Sequence, residues 1–134
     1  MYQRPTLDAA DAEAIGAAAT AHAAENGWSV TIAIVDDGGH LLWFRRADKA
    51  SPATARIAVG KARTAALGRR DSKAYEEMLA ARPAFLSAPG LDCLLEGGVA
   101  ILAGGHCLGA VGVSGVKSAE DAQVARAGIA ALAL

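Results

Sequence analysis

Lys61 is the residue whose type and position most suggest chemistry. In the helix predicted after Ser51, it lies beside Ile57 and Thr64, on a face of small and apolar residues. A lysine on such a face either extends its ammonium group to solvent or supplies a charge to a pocket. Lys61 is therefore a candidate ligand anchor or general base. The structural alternative is an ion pair with one of three carboxylates, Asp36, Asp37 or Asp48.

Two further groups could complete a site for a carboxylate. Arg46 and Asp48 precede the predicted start of the Lys61 helix, and as a surface ion pair they would contribute little. Together with Lys61 and the free amides after Ser51, Arg46 would instead form a carboxylate-binding corner. Asp36 ends the first predicted strand, where it is either a turn aspartate or a second candidate general base.

Glycines cluster near the second predicted hairpin. Gly97-Gly98 precede it, and Gly109, Gly112 and Gly115 follow a GxxGxxG spacing that does not match a dinucleotide-binding fingerprint. Glycine inside a strand marks a bulge or the close approach of a backbone or a ligand, and packing is the commoner cause. Ser114 lies just before a predicted helix, so its neighbouring amides could bind an anion.

The histidines, cysteines and surface arginines give weaker signals. His22, His40 and His106 form no zinc pattern, so no metal site is predicted. Haem needs only one histidine, and His22 is the axial candidate, although a buried structural role is the alternative. The two cysteines, Cys93 and Cys107, are expected to be free thiols in a reducing cytosol. Arg56, Arg63 and, if the helix extends that far, Arg70 share a stripe that is expected to be solvated.

Composition bounds the class of protein. The 134 residues are 53% apolar and 20% charged, which indicates one globular domain over residues 1–134. The formal charge of −1 and the six aromatic residues argue against binding to nucleic acid or to an anionic membrane surface. The N-terminal residues show no signal-peptide pattern, and no stretch is long enough to span a membrane, so a cytoplasmic location is expected.

The elements that must position these residues follow from periodicity and turn signals. Ser118 and Asp121 form a capping-box pattern, and residues 82–98 are expected to be mostly loop. The order of helix, hairpin, two helices, hairpin and helix favours one antiparallel sheet covered by helices. The predicted elements are a helix from Thr6 to about Glu25, strands Trp28–Val35 and His40–Arg45, helices from Ser51-Pro52 to about Leu67 and over Ser72–Ala81, strands Val99–Ala103 and His106–Val113, and a helix from Ser118 to about Leu132.

Two segments together resemble a known family. The first contains Ile34-Val-Asp-Asp-Gly-Gly-His-Leu, Arg46-Ala-Asp48, Ser51 and Ile57-Ala-Val-Gly-Lys61-Ala-Arg-Thr64-Ala. The second contains Glu96-Gly-Gly-Val-Ala-Ile, Leu108-Gly-Ala-Val-Gly-Val-Ser-Gly115 and Glu120-Asp121. In order and spacing they resemble the GlcG/HbpS-type haem-binding family, which also includes the C-terminal domain of PduO-type corrinoid adenosyltransferases. The resemblance covers nearly the whole chain.

The resemblance implies an α/β (α+β) fold, a profilin-like α/β/α sandwich with one antiparallel sheet of about five strands flanked by helices. It also implies a homo-oligomer, a dimer or larger, that binds a small molecule: haem, another tetrapyrrole or a small carboxylated metabolite. The alternative is a small cofactor-independent enzyme, an isomerase, tautomerase, hydrolase or lyase, with Lys61 or Asp36 as the base. The positions expected to bind the ligand are Arg46, Asp48, Lys61, Thr64, Gly97, Gly98, Gly112, Ser114 and Gly115.

Overall fold

The computed structural model describes all residues from 1 to 134 and contains every predicted helix and strand. A short 3-10 helix, Pro83–Ser87, lies within the segment that the sequence predicts to be mostly loop. None of the helices combines the length and apolar character needed to cross a bilayer. The elements are α1 (Ala9–Glu25), β1 (Thr31–Asp36), β2 (Leu41–Arg46), α2 (Ala53–Gly68), α3 (Ser72–Ala81), β3 (Gly98–Ala103), β4 (His106–Ser114) and α4 (Ser118–Ile129).

The four strands form one sheet in the order β2-β1-β4-β3, and every neighbouring pair is antiparallel. The predicted class of an α/β (α+β) fold with one antiparallel sheet is therefore confirmed. The count of about five strands is wrong, because the chain supplies only two hairpins. Each hairpin gives two strands, and the segment between them folds as α2, α3 and the 3-10 helix.

Helices cover both faces of the sheet. On one face, α1 and α4 pack over the larger core, which includes Ile15, Ile34, Val111 and Val124. On the other face, α2 packs on a core made only of alanine and valine. Because these side chains are small, the α2 backbone lies close to the strands. A β-carbon on Gly112 would overlap the Ala58 carbonyl oxygen, so the strand glycine permits this approach.

The first helix begins with a capping box, but not at the predicted residue. Asp8 caps α1 rather than Thr6: its Oδ1 accepts from the Asp11 N–H at 2.8 Å. Asp11 Oδ2 in turn accepts from the Asp8 N–H at 3.0 Å. Two acceptors thus satisfy amides that the first turn leaves free.

The predicted caps of α2 and α4 also differ from the structure. Ser51 does not cap α2 with its side chain; its carbonyl accepts from the Thr54 N–H and hydroxyl, and the helix begins at Ala53. At α4 the cap residue is Lys117, whose N–H donates to Glu120 Oε1 at 3.3 Å. Asp121, which the capping pattern assigns to this turn, accepts from the Val116 N–H with Oδ1 and makes a longer-range contact with Oδ2.

Candidate functional site

Lys61 is buried and forms an ion pair that the sequence does not predict. Its side chain is 3% exposed, and its Nζ donates to the Val113 carbonyl at 2.9 Å and to Asp121 Oδ2 at 3.0 Å. Asp121 Oδ1 accepts from the Val116 N–H at 3.1 Å. Burial raises the pKa of the Asp121 carboxyl, although the Lys61 ammonium opposes that shift. None of the predicted partners, Asp36, Asp37 or Asp48, contacts Lys61.

The pair occupies the interior of the protein. Lys61 lines none of the surface cavities, and neither its ammonium group nor the Asp121 carboxylate reaches solvent. A ligand-binding or catalytic role for Lys61 therefore requires this pair to open. In the closed arrangement the lysine joins α2 to the start of α4.

Of the predicted ligand-binding glycines, Gly97, Gly98 and Gly112 pack against Lys61 or its helix, and Gly115 packs against the segment before β1. Gly97 has φ +130°, and a β-carbon there would lie 2.7 Å from Lys61 Nζ. A β-carbon on Gly98 would overlap the Lys61 carbonyl oxygen. Gly115 has φ +145°, and a β-carbon there would lie 2.6 Å from the Ser29 carbonyl oxygen. Together with Gly112, these glycines account for close backbone packing without a ligand.

The remaining predicted residues do not share a cavity with Lys61. Thr64 is fully buried, and its hydroxyl has no hydrogen-bond partner. Ser114 is buried at the end of β4, opposite Thr31. Arg46 and Asp48 are exposed and form no ion pair. The carboxylate-binding corner is thus not assembled in this structure.

Asp36 stabilises the turn between β1 and β2. Its Oδ1 accepts from the backbone N–H groups of Gly38 and His40, both at 2.9 Å, and lies 3.2 Å from His40 Nδ1. Desolvation by burial alone would raise the pKa of Asp36. The hydrogen bonds from His40 and Gly38 and the His40 charge outweigh it, so the pKa is lowered. These contacts match the structural alternative for Asp36, a turn aspartate.

The histidines lie in three separate places. His22 is half-buried; its Nε2 lies 2.8 Å from the Gln123 side-chain nitrogen, and its ring meets Trp28 edge-on. It therefore belongs to the α1–α4 side of the sheet. His40 lies at the Asp36 turn, and His106 begins β4. No group of histidine, cysteine and acidic residues is arranged to hold a metal ion.

The largest cavity is an open groove along the outer side of α2, with a volume of about 700 Å³. Arg56 and Arg63 flank it, two helical turns apart, and Cys93 approaches α2 at Gly60. Burial raises the pKa of the Cys93 thiol, although the nearby Lys61 charge opposes that shift. We call this cavity the α2 groove; it is lined by Ala55, Arg56, Ile57, Val59, Gly60, Arg63, Asp92 and Cys93.

The sequence shows the arginine spacing of the α2 groove but not the groove itself. The spacing predicts a solvated stripe, and Arg56 and Arg63 are both exposed, while Arg70 lies beyond the end of α2. Cys93 comes from the long segment between α3 and β3, whose position no periodic pattern predicts. A site formed by a helix and an irregular segment therefore becomes visible only in the folded chain.

Comparison with known proteins gives consistent matches. The sequence model of the family described as "Haem degrading protein HbpS-like" matches residues 7–130. Protein GlcG of Escherichia coli K12 is 55% identical over 104 residues, which are 77% of each chain. A double mutant of Streptomyces reticuli HbpS superposes with a TM-score of 0.92 at 32% identity, over 100% of this chain and 92% of that one.

A more distant structure extends the same fold. The crystal structure of the PduOC:heme complex has a TM-score of 0.88 at 24% identity, over 96% of each chain, a likeness that shows the fold alone. The resemblance noted from the motifs at residues 34–65 and 96–121 is confirmed by the family match and by the GlcG relative. The chain belongs to the HbpS-like family.

Proposed function

We propose that this protein binds haem or a related tetrapyrrole, and that the α2 groove is the binding site. The observation that carries the proposal is an open, largely apolar groove flanked by two guanidinium groups, those of Arg56 and Arg63. The description of the family and the similarity of this chain to HbpS support haem as the ligand class. A small carboxylated metabolite is the alternative ligand, which the same arginines could bind.

The chemistry of the α2 groove fits the shape and charge of haem. Haem is a flat apolar ring that carries two carboxylates at one edge. Ala55, Val59 and Gly60 offer a small-residue surface on which a flat ring can lie. Arg56 and Arg63 are seven residues apart, about 10.5 Å along the helix axis, and each can donate two hydrogen bonds to a carboxylate.

Cys93 is the one residue of the α2 groove with a side chain that commonly binds haem iron. Because the pKa of the Cys93 thiol is raised, the thiol is protonated at neutral pH when no iron is bound. Binding of the sulfur to iron would therefore release a proton. His22, the axial candidate from the sequence, lies on the other side of the sheet. Within one subunit, His22 and the α2 groove therefore represent two different sites.

The open edge of the sheet supports the proposed homo-oligomer. At the β3 edge, the Ala100 N–H donates to Asp71 Oδ1 at 3.1 Å, which helps to cover that edge. At the β2 edge, Leu41, Leu42 and Phe44 are exposed. An apolar and unpaired edge strand favours pairing with another chain. We therefore expect a second copy of the chain to pair with the β2 edge.

A cytoplasmic location remains a prediction from the sequence.

The test is a hemin titration of the purified protein followed by absorption, with the stoichiometry per subunit. The proposal predicts a saturable, sharpened Soret band that Cys93→Ser alters and that His22→Gln leaves unchanged. If the Soret band is lost in His22→Gln and not in Cys93→Ser, the haem site lies instead on the face of the sheet covered by α1 and α4. Diffuse binding that does not saturate would contradict haem as the ligand and favour the small carboxylated metabolite.

A further inference from the structure

A second cavity lies at the end of the molecule where α2 stops, and it goes beyond the proposed haem site. Its volume is about 370 Å³, within the usual range for small-molecule pockets. It is formed by the N-terminal segment, the residue after α2 and the β3–β4 turn. We call it the basic cavity; it is lined by Tyr2, Arg4, Arg69, Leu102, Gly105, His106 and Cys107.

The charge of the basic cavity is positive. Two arginines and a histidine line it, and no carboxylate does. The nearest acid is Asp37, whose Oδ2 lies 2.6 Å from Arg4 Nη1 and 3.9 Å from Arg69 Nη2. One carboxylate therefore holds both guanidinium groups but neutralises only one of them. The arginine side chains remain about half exposed, at 49% and 47%, so each can accept a further partner.

The backbone at Arg69 is in a strained conformation, and this conformation places the Arg69 guanidinium group at the basic cavity. Arg69 follows the last residue of α2 with φ 57° and ψ 30°, the left-handed conformation. It is the only non-glycine residue of the chain with a positive φ. Glycine or asparagine is usual at this position, and other residues are strained there. Arg69 also donates to the Ala66 carbonyl at 2.9 Å and to the Asp37 carbonyl, which fixes the guanidinium at the cavity wall.

We infer that the basic cavity binds a small oxyanion, the carboxylate or phosphate group of a metabolite. Two guanidinium groups near one aspartate present several donors at one cavity, and their planar forks match the geometry of such anions. Arg69 is also anchored to the Ala66 and Asp37 carbonyls, so its side chain loses less conformational entropy when an anion binds. The Tyr2 hydroxyl and the His106 ring offer further polar groups at the same cavity.

The structural alternative is that Arg69 acts only as a cap for α2. A cation at a helix C-terminus is stabilising by itself, and Arg69 does contact the Ala66 carbonyl. The two interpretations differ for Arg69→Gly. Glycine relieves the left-handed backbone, so under the anion-site interpretation the variant folds as stably as the parent but binds the anion poorly. If Arg69 is only a cap, the parent does not bind the anion at this cavity, and Arg69→Gly cannot weaken anion binding there.

The test uses the full chain at low ionic strength, with inorganic phosphate and succinate as separate probes and chloride at matched ionic strength as the reference. Backbone amide NMR shifts and calorimetry follow binding. We expect saturable shifts at Arg69, Gly105 and Cys107, and about tenfold weaker binding in Arg4→Gln and in Arg69→Gly. Arg82→Gln, an exposed arginine at the end of α3, should bind like the parent.

Each outcome decides the inference. Saturation by phosphate alone or by succinate alone supports the site and identifies the chemical source of its anion. Shifts that do not saturate, or equal affinity in the parent and in Arg4→Gln, would overturn it. Shifts confined to Arg56 and Arg63 would also overturn it, because they would place the anion in the α2 groove. Haem binding does not enter the readout, so failure here leaves the proposed function intact.

Discussion

Lys61 on α2 and Asp121 on α4 form a buried ion pair, with 3.0 Å between Nζ and Oδ2, that connects helices packed on opposite faces of the sheet. Lys61 passes the end of β4 and also donates to the Val113 carbonyl. A charge pair this deep is retained only when each group is well hydrogen-bonded, which both are. The contact therefore fixes how α4 is joined to the rest of the domain.

Replacing Lys61 by methionine should leave the Asp121 carboxylate buried without its cation. Breaking a buried pair in this way costs about 3–5 kcal/mol of unfolding free energy. Urea unfolding at neutral pH measures the loss. Lys73→Met, the same change at an exposed lysine of α3, should alter the unfolding free energy by less than about 0.5 kcal/mol. Equal losses in the two variants would contradict the assigned role of Lys61.

The loss in Lys61→Met should also depend on pH. The pKa of Asp121 is raised in the folded state, so above about pH 3.9, the ordinary value for aspartate, the folded chain binds more protons than the unfolded chain. The stability contribution of Asp121 therefore falls as the pH rises through its raised pKa. Lys61→Met removes the ammonium group that opposes this pKa shift, so the ionised Asp121 carboxylate is more costly in the variant than in the parent. The loss of unfolding free energy in Lys61→Met should therefore be smallest in acid and should grow as the pH rises. A deficit that shrinks with rising pH would contradict this expectation.

Gly112→Ala tests whether the strand glycines serve packing. The added methyl group would overlap the Ala58 carbonyl oxygen, and neither backbone can move without separating α2 from the sheet. We expect a loss of about 3 kcal/mol or more, or failure to fold. Gly38→Ala is the matched control, since its new β-carbon would meet the exposed His40 ring at 3.0 Å and Asp36 Oδ1 at 3.4 Å but no backbone atom. A stable Gly112→Ala protein that has lost only ligand binding would instead support a ligand role.

Asp36→Asn tests the β1–β2 turn, with the opposite pH dependence. The pKa of Asp36 is lowered in the folded state, so its contribution is complete above about pH 3.9 and is lost as the pH falls through the lowered pKa. The parent should thus be more stable than Asp36→Asn at pH 7, and the difference should narrow in acid. Thermal unfolding at several pH values measures it. A difference that is constant with pH would show that the charge of Asp36 is unimportant.

The sequence predicts the local elements well but not the contacts between distant residues. The β-branched run before Asp36 and the Asp37-Gly38-Gly39 turn are sufficient for the first hairpin, because both signals are local. Helical periodicity places Lys61 on a face of small and apolar residues, and in the structure that face is buried. Its partner, Asp121, is 60 residues away, and only the position of α4 on the far side of the sheet brings the two together.

The same limit applies to the candidate sites. Glycine within a predicted strand indicates a close approach, and the structure shows that Gly98 and Gly112 meet the backbone of α2. The sequence pattern could not show whether a ligand or a backbone atom lies against each glycine. Cys93 in the α2 groove and Arg4 in the basic cavity both come from segments without regular structure, so their positions depend on the whole fold.

The most direct test of the proposed function is the hemin dissociation constant of the double variant Arg56→Gln and Arg63→Gln. If the α2 groove binds haem through its carboxylates, the double variant should bind about tenfold or more weakly, with unchanged unfolding free energy. Arg82→Gln, outside the groove, should bind like the parent. Equal hemin affinity in the parent and the double variant would contradict the assignment of the groove.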